Sequence, residues 1–278
     1  MPECGGLLPG GAVAADLPRP HGRPGRPGRG EPEEGTALTR VGVITQARMT
    51  STRLPGKVLL RAGGRTMLEH QLRRLGVVGV PIIVATTVNR SDDAIVEAAE
   101  ELGAPVFRGS EDDVLSRFDG AAEAFGLDAV VRVTSDCPLI DGEVVRRGID
   151  DFLERDDDAY VSNTLERTFP RGFDFEVFSA AALHDAAAHA TDPADREHVT
   201  PYLNKNRSGR VSLFTITQEV DASRYRVTLD TAEDFSLIRA LIEDHGASDL
   251  SAAEIVSVLD SHPELVELNA SVEQKKVG

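Results

Sequence analysis

From Gln46 to Leu60 the chain reads QARMTSTRLPGKVLL, and Arg48, Arg53, Lys57, Arg61 and Arg65 all precede the next acid, Glu69. The chain as a whole is acidic, with 278 residues, a formal net charge of -16 and a pI near 4.9. A nucleic-acid binder spreads cations over a broad face, and a solvated helix face mixes signs. A cationic stretch confined to one loop suits a small, highly charged anion. Ser51, Thr52, Pro55 and Gly56 keep that loop slim, so backbone N–H groups can approach phosphate oxygens while Arg48 and Lys57 at its two ends, with Arg53 between them, neutralise charge on a leaving pyrophosphate. Gly56-Lys57 looks like the end of a P-loop, but Ser51 stands where that motif needs its first glycine and Val58 where it needs Ser or Thr. The plainer alternative is a solvated basic loop.

Asp136 closes VVRVTSD and Asp230 closes YRVTLD. If both runs are strands parallel to the one before the cationic loop, the two acids share a rim with Arg48 and Lys57. One or two carboxylates completed by phosphate oxygens form the usual donor set for Mg2+. Each acid also has a structural reading, Asp136 in the turn before Pro138 and Asp230 ahead of a helix capped at Thr231. In FPRGFDFEVF, strand geometry puts Asp174 and Glu176 on one face and Arg171, Phe173 and Phe175 on the other. That acid pair can bind hydroxyls of an acceptor, hold a second metal or take a proton, or it is ordinary polar alternation. His198, in REHVTPYL, is a candidate to line the site but reads rather as a structural histidine. Cys137 reads as a small buried side chain.

These residues need a frame. VGVI, PIIVATTV, PVFRG and AVVRVTSD are strand-like runs that alternate with helical periodicity over TMLEHQLRRLG, SDDAIVEAAEELG with Ser91 as cap, residues 114–125 and residues 144–152. This order predicts an α/β domain with a mostly parallel sheet and ligands beyond the carboxyl ends of its strands. AYVSNT, GFDFEVF and VSLFTIT then read as strands around an Ala-rich helical stretch at 180–206. YRVTLD returns as a strand before the helix TAEDFSLIRALIEDHG, whose Thr231 and Asp234 stand as a capping box. The expected organisation is a Gly/Pro-rich, disordered leader or over-extended start at 1–40, a domain at 41–250 with an arm near 160–215, and a C-terminal helix and tail at 251–278. Two cysteines are too few for a disulfide framework or a four-ligand zinc site, which points to a reducing cytoplasm. The acidic balance works against nucleic acid and anionic membrane as partners.

The blocks QARMTSTRLPGKVL, ATTVNRSDDAIVE, VFRGSEDDVLSRF, VVRVTSDCPLID, FPRGFDFEVF, REHVTPYL and RVTLDTAED occur in order, and together they resemble the SpsF-like spore coat polysaccharide biosynthesis proteins, within the acylneuraminate and Kdo cytidylyltransferases. The resemblance implies the nucleotide-diphospho-sugar transferase (GT-A-like) three-layer sandwich and transfer of CMP from CTP to a sugar acid or similar small-molecule acceptor, with Mg2+ on Asp136 and Asp230. It also implies catalytic roles for Arg48, Lys57, Asp136 and Asp230. Nucleotide binding falls to Gln46, Ala47, Arg48, Ser51, Arg53, Lys57, Ala85, Thr86, Asp93, Arg108 and Ser110. Asn163, Arg171, Asp174 and Glu176 carry over to the acceptor side, and residues 160–215 are placed to form a homodimer. One departure is Ser135-Asp136-Cys137-Pro138, where Kdo enzymes carry an acidic pair. A glycosyltransferase using a finished nucleotide sugar, a phosphonate acceptor and a non-catalytic scaffold are the competing readings.

Overall fold

The structure, a computed structural model, describes residues 39–155 and 158–273. The expected disorder of 1–40 therefore falls almost wholly outside the described residues. The chain opens with β1 (Val41–Gln46), and a small hairpin, β2 (Arg61–Ala62) and β3 (Arg65–Thr66), follows the cationic loop. Next come α1 (Met67–Leu75), capped by the Thr66 hydroxyl, β4 (Ile82–Thr87), α2 (Asp93–Glu101), β5 (Val106–Gly109), α3 (Val114–Ala124), β6 (Ala129–Thr134) and α4 (Gly142–Leu153). The second half holds β7 (Ala159–Ser162), β8 (Glu176–Ser179), α5 (Ala180–His189), α6 (Pro193–His198), α7 (Pro201–Asn204) and β9 (Ser212–Thr215). It closes with α8 (Ala232–His245), α9 (Ala252–Ser261) and α10 (Pro263–Glu267).

Among the described residues, nine strands make a seven-stranded sheet in the order β5-β4-β1-β6-β8-β7-β9, plus the hairpin. β5, β4, β1 and β6 are parallel, so their carboxyl ends share one rim, while β8 runs antiparallel between β6 and β7. β1 is apolar in both directions because helices cover both faces. Val43 packs with α1, α4, α8 and α9, and Ile44 packs with α3 and α5. This is the α/β domain with a mostly parallel sheet expected from the alternation, and the three-layer sandwich that the resemblance implies. Asp141 joins two helices of one layer, accepting from Glu143 N at the start of α4 and from Ala252 N at the start of α9 at 2.7 Å.

Four local expectations change. YRVTLD forms no strand, only a single bridge between Arg226 and Arg171, because Leu229 N bonds Asp136 O at 2.7 Å instead of entering a ladder. GFDFEVF becomes a strand only at Glu176, since Asn163 takes the backbone of Phe173 and Phe175 with its side-chain amide. Ser91 does not cap α2; it lies in a short 3-10 turn, and Asp92 precedes the helix. The helical stretch at 180–206 divides into α5, α6 and α7, with Pro193 and Pro201 opening the second and third.

Candidate active site

The cationic loop is fastened at both ends before any ligand arrives. Gly56 N returns to Met49 O at 3.0 Å, and Gly56 takes a left-handed φ of 66° that lets the loop turn. The buried Asp92 carboxylate accepts from Met49 N at 2.8 Å and from Thr87 Oγ1 at 2.5 Å, which ties the loop to the end of β4. Thr50 Oγ1 donates to Glu111 at 2.5 Å, beyond the end of β5. The loop cations are thus held over the strand tips by groups that sequence periodicity does not mark.

The two aspartates meet at Lys57. Its Nζ lies 2.8 Å from Asp230 Oδ1 and 3.8 Å from Asp136 Oδ2. Asp230 Oδ2 also receives Arg226 at 2.9 Å and Arg53 at 3.1 Å. Burial pushes the Asp230 carboxyl up, but Lys57, Arg53 and Arg226 outweigh it and hold the group below the usual aspartate range. Arg226 reaches on to the buried Asp234, which completes the capping box of α8, so the helix start and the site share one ion-pair chain. Asp136 and Asp230 therefore stand together although only one of them follows a strand.

Around Lys57 lies a cleft of about 440 Å³. Gln46, Arg48, Ser51 and Arg53 from the cationic loop and the strand before it line it together with Ser135, Asp136 and Asp230, and so do Val114 and Arg117 of α3 and Glu197 and His198 of α6. Sequence reasoning missed Arg117, which reads as one polar residue of an amphipathic helix, and Glu197. His198, read from the sequence as structural, lines this cleft. A cavity of equal volume, about 440 Å³, lies beside α1, α4 and α9, but Arg74 there is spent on the carbonyls of Ile140, Ala247 and Ser248 and Asp141 on helix capping.

Other sequence-predicted residues do not line the cleft. Ala85 and Thr86 are fully buried in β4, and Arg108 is spent on Thr87 O, Asn89 O and Asp93. Ser110 braces the start of α3 by accepting from Asp113 N at 3.0 Å. On the acceptor side, Asp174 and Glu176 do not act as a pair, because the backbone is not yet a strand at Asp174. Asp174 forks onto Arg167, whereas Glu176 is buried against Arg132, Tyr160 and Thr200. Asn163 is fully buried. Arg171 alone of the four makes no side-chain hydrogen bond or ion pair among the described residues. Cys137 is buried, and burial pushes its thiol well above its ordinary value, which removes it as a nucleophile.

Residues 42–276, which include every residue of this cleft, match the model of a family described as Cytidylyltransferase. The chain belongs to the cytidylyltransferase family. It is a nucleotidyltransferase by membership. It is 34% identical to the spore coat polysaccharide biosynthesis protein SpsF of Bacillus subtilis over 231 residues, 80% of this chain and 94% of that protein. It is 38% identical to an uncharacterized protein of Methanocaldococcus jannaschii over 238 residues, 84% of this chain and 96% of that one. A cytidylyltransferase structure from Leptospira borgpetersenii superposes with a TM-score of 0.78 at 34% identity, covering 85% of this chain and all (100%) of that one. No helix among the described residues is long and apolar enough to cross a membrane.

Proposed function

We propose that this cytidylyltransferase moves CMP from CTP to a hydroxyl of a sugar acid or similar small acceptor, releasing pyrophosphate, in the assembly of a glycan. The acceptor oxygen forms a bond to the α-phosphorus, the bond from that phosphorus to the bridging oxygen of pyrophosphate breaks, and the hydroxyl proton is released. Arg48, Arg53 and Lys57 supply the positive charge that the departing pyrophosphate needs, from a loop already fixed by Asp92. The observation that carries this reading is the contact of one loop lysine with both acids inside that cleft.

Asp136 and Asp230 fit Mg2+, since both are hard oxygen donors that already share one cation and the phosphate chain can complete the shell. When bound, the ion supplies Lewis-acid charge at the phosphate. Arg171 is our candidate for an acceptor carboxylate; burial, Arg167 and Arg226 lower its pKa, so an anion there relieves like-charge crowding. A homodimer would form through the β7 to β9 arm, where β9 is the last strand of the sheet.

The test is pyrophosphate release from each of the four common nucleoside triphosphates against sugar acids, sugar phosphates and phosphonates. Release with CTP and one acceptor class is the expected result, and a phosphonate hit would move the acceptor but keep the chemistry. Absence of release with every pair, alongside turnover of a finished nucleotide sugar, would replace this reading with glycosyl transfer.

A further inference from the structure

Arg117 is only 2% exposed, yet it lines the same cleft as the cationic loop. Its NH1 group donates to Ser110 O at 2.5 Å, and its Nε is enclosed without any hydrogen-bond partner. No carboxylate pairs with it among the described residues. Asp92, Glu111 and Asp113 are near enough to be felt, but each is engaged elsewhere: Asp92 with Met49 and Thr87, Glu111 with Thr50, Asn89 and, at 3.8 Å, Arg48, Asp113 with Arg196 and Ser116. Burial, and then the charge of Arg48, push the Arg117 guanidinium down to about 10. An enclosed cation beside another cation, with a donor left idle, destabilises a protein that has no ligand for it.

The fold nevertheless makes room for this side chain. A Cβ on Gly109, the last residue of β5, would come within 3.0 Å of Arg117 Cγ, so the glycine leaves space for the arginine stem. On the same cleft, Gln46 Oε1 is likewise enclosed and without a partner. The site therefore carries an unfilled donor as well as an unfilled acceptor, and the donor belongs to a buried positive charge.

We infer that Arg117 binds a phosphate oxygen of the incoming nucleoside triphosphate, closing the phosphate chain between α3 and the cationic loop. A polyanion suits the place because Arg48 and Arg117 repel each other, and Glu111, paired with Arg48, makes no hydrogen bond or ion pair with Arg117. This rests on the nucleotidyl-transfer reading for the identity of the nucleotide, though not for the binding of phosphate itself.

The experiment is calorimetric titration of the wild type, Arg117→Met and Arg117→Lys with CTP, pyrophosphate and cytidine, with melting curves of each unliganded protein. Arg117→Met should bind CTP and pyrophosphate at least about tenfold more weakly, the scale of one charge-assisted contact, and Arg117→Lys should recover part of the loss. Cytidine binding should not change. The unliganded Arg117→Met protein should melt at or above the wild-type temperature, because an unpaired buried charge is gone. Wild-type affinity of Arg117→Met for CTP, an equal loss for cytidine, or a melting temperature well below wild type would each overturn the inference, the last by making Arg117 structural. If pyrophosphate binding depends on Arg117 but a parallel titration of the wild type with ATP, GTP and UTP shows no advantage for CTP, this inference stands and the CTP assignment falls. If the wild type binds neither ligand, both fall.

Discussion

Lys57 touches both acids of the site, and its loss separates the chemical role from the structural one. In Lys57→Ala, Asp230 keeps Arg53 and Arg226, so the fold holds, while the pyrophosphate loses a cation at the moment its charge develops. Turnover, read as pyrophosphate release, should fall on the order of a hundredfold or more, with the melting temperature little changed. Asp230 gives a second prediction through its lowered pKa. In the unfolded chain an aspartate titrates near about 3.9. The folded group binds its proton only at lower pH, so its contribution to stability is complete above the ordinary aspartate value and disappears as pH falls through the depressed one. Urea unfolding across that acid window should show this limb in the wild type and a weaker one in Asp230→Asn. The cations and acids were legible in the sequence because their types are incongruous where they stand. Arg117 was not, because one arginine on a polar-patterned helix reveals its burial only once Gly109 and β5 are placed against it.

At the scale of elements, the alternation of strand and helix predicted the α/β domain with its mostly parallel sheet, and the failures fall where extended chain has no ladder partner. YRVTLD has the alternation of a strand, but its register is taken by Asp136 O and by the bridge to Arg171, contacts that sequence periodicity cannot encode. The same bridge explains Gly172. Its φ is +107°, and a Cβ would lie 2.7 Å from the carbonyl carbon and oxygen of Val227, backbone atoms that cannot swing aside. Gly172→Ala thus combines a disfavoured dihedral with overpacking, at a cost of about 2–4 kcal/mol. Because Val227 leads directly to Asp230, this variant should also lose pyrophosphate release. The two effects are measured by thermal melting and by activity well below the melting temperature. Full activity in a destabilised Gly172→Ala protein would show that Asp230 is placed by α8 and Arg226 without the bridge.

For the whole molecule, a net charge of -16 surrounds a cleft lined by Arg48, Arg53, Lys57 and Arg117, so a nucleotide meets two fields of opposite sign. They act over different distances. The dispersed acids repel a tetra-anion from afar, and salt screens that repulsion as the Debye length shrinks to about 8 Å at physiological ionic strength. The cleft cations act at contact from partly enclosed positions, where screening is weaker. The repulsion is lost first, so the association rate for CTP should rise as salt increases from low to physiological levels, the reverse of an enzyme that steers its anion by net positive charge. Further salt should then raise the dissociation constant as the contacts weaken. Stopped-flow binding over a salt series reads both phases, with cytidine as the uncharged control. An association rate that falls monotonically from the lowest salt would mean that the local cationic field of the cleft dominates even at long range.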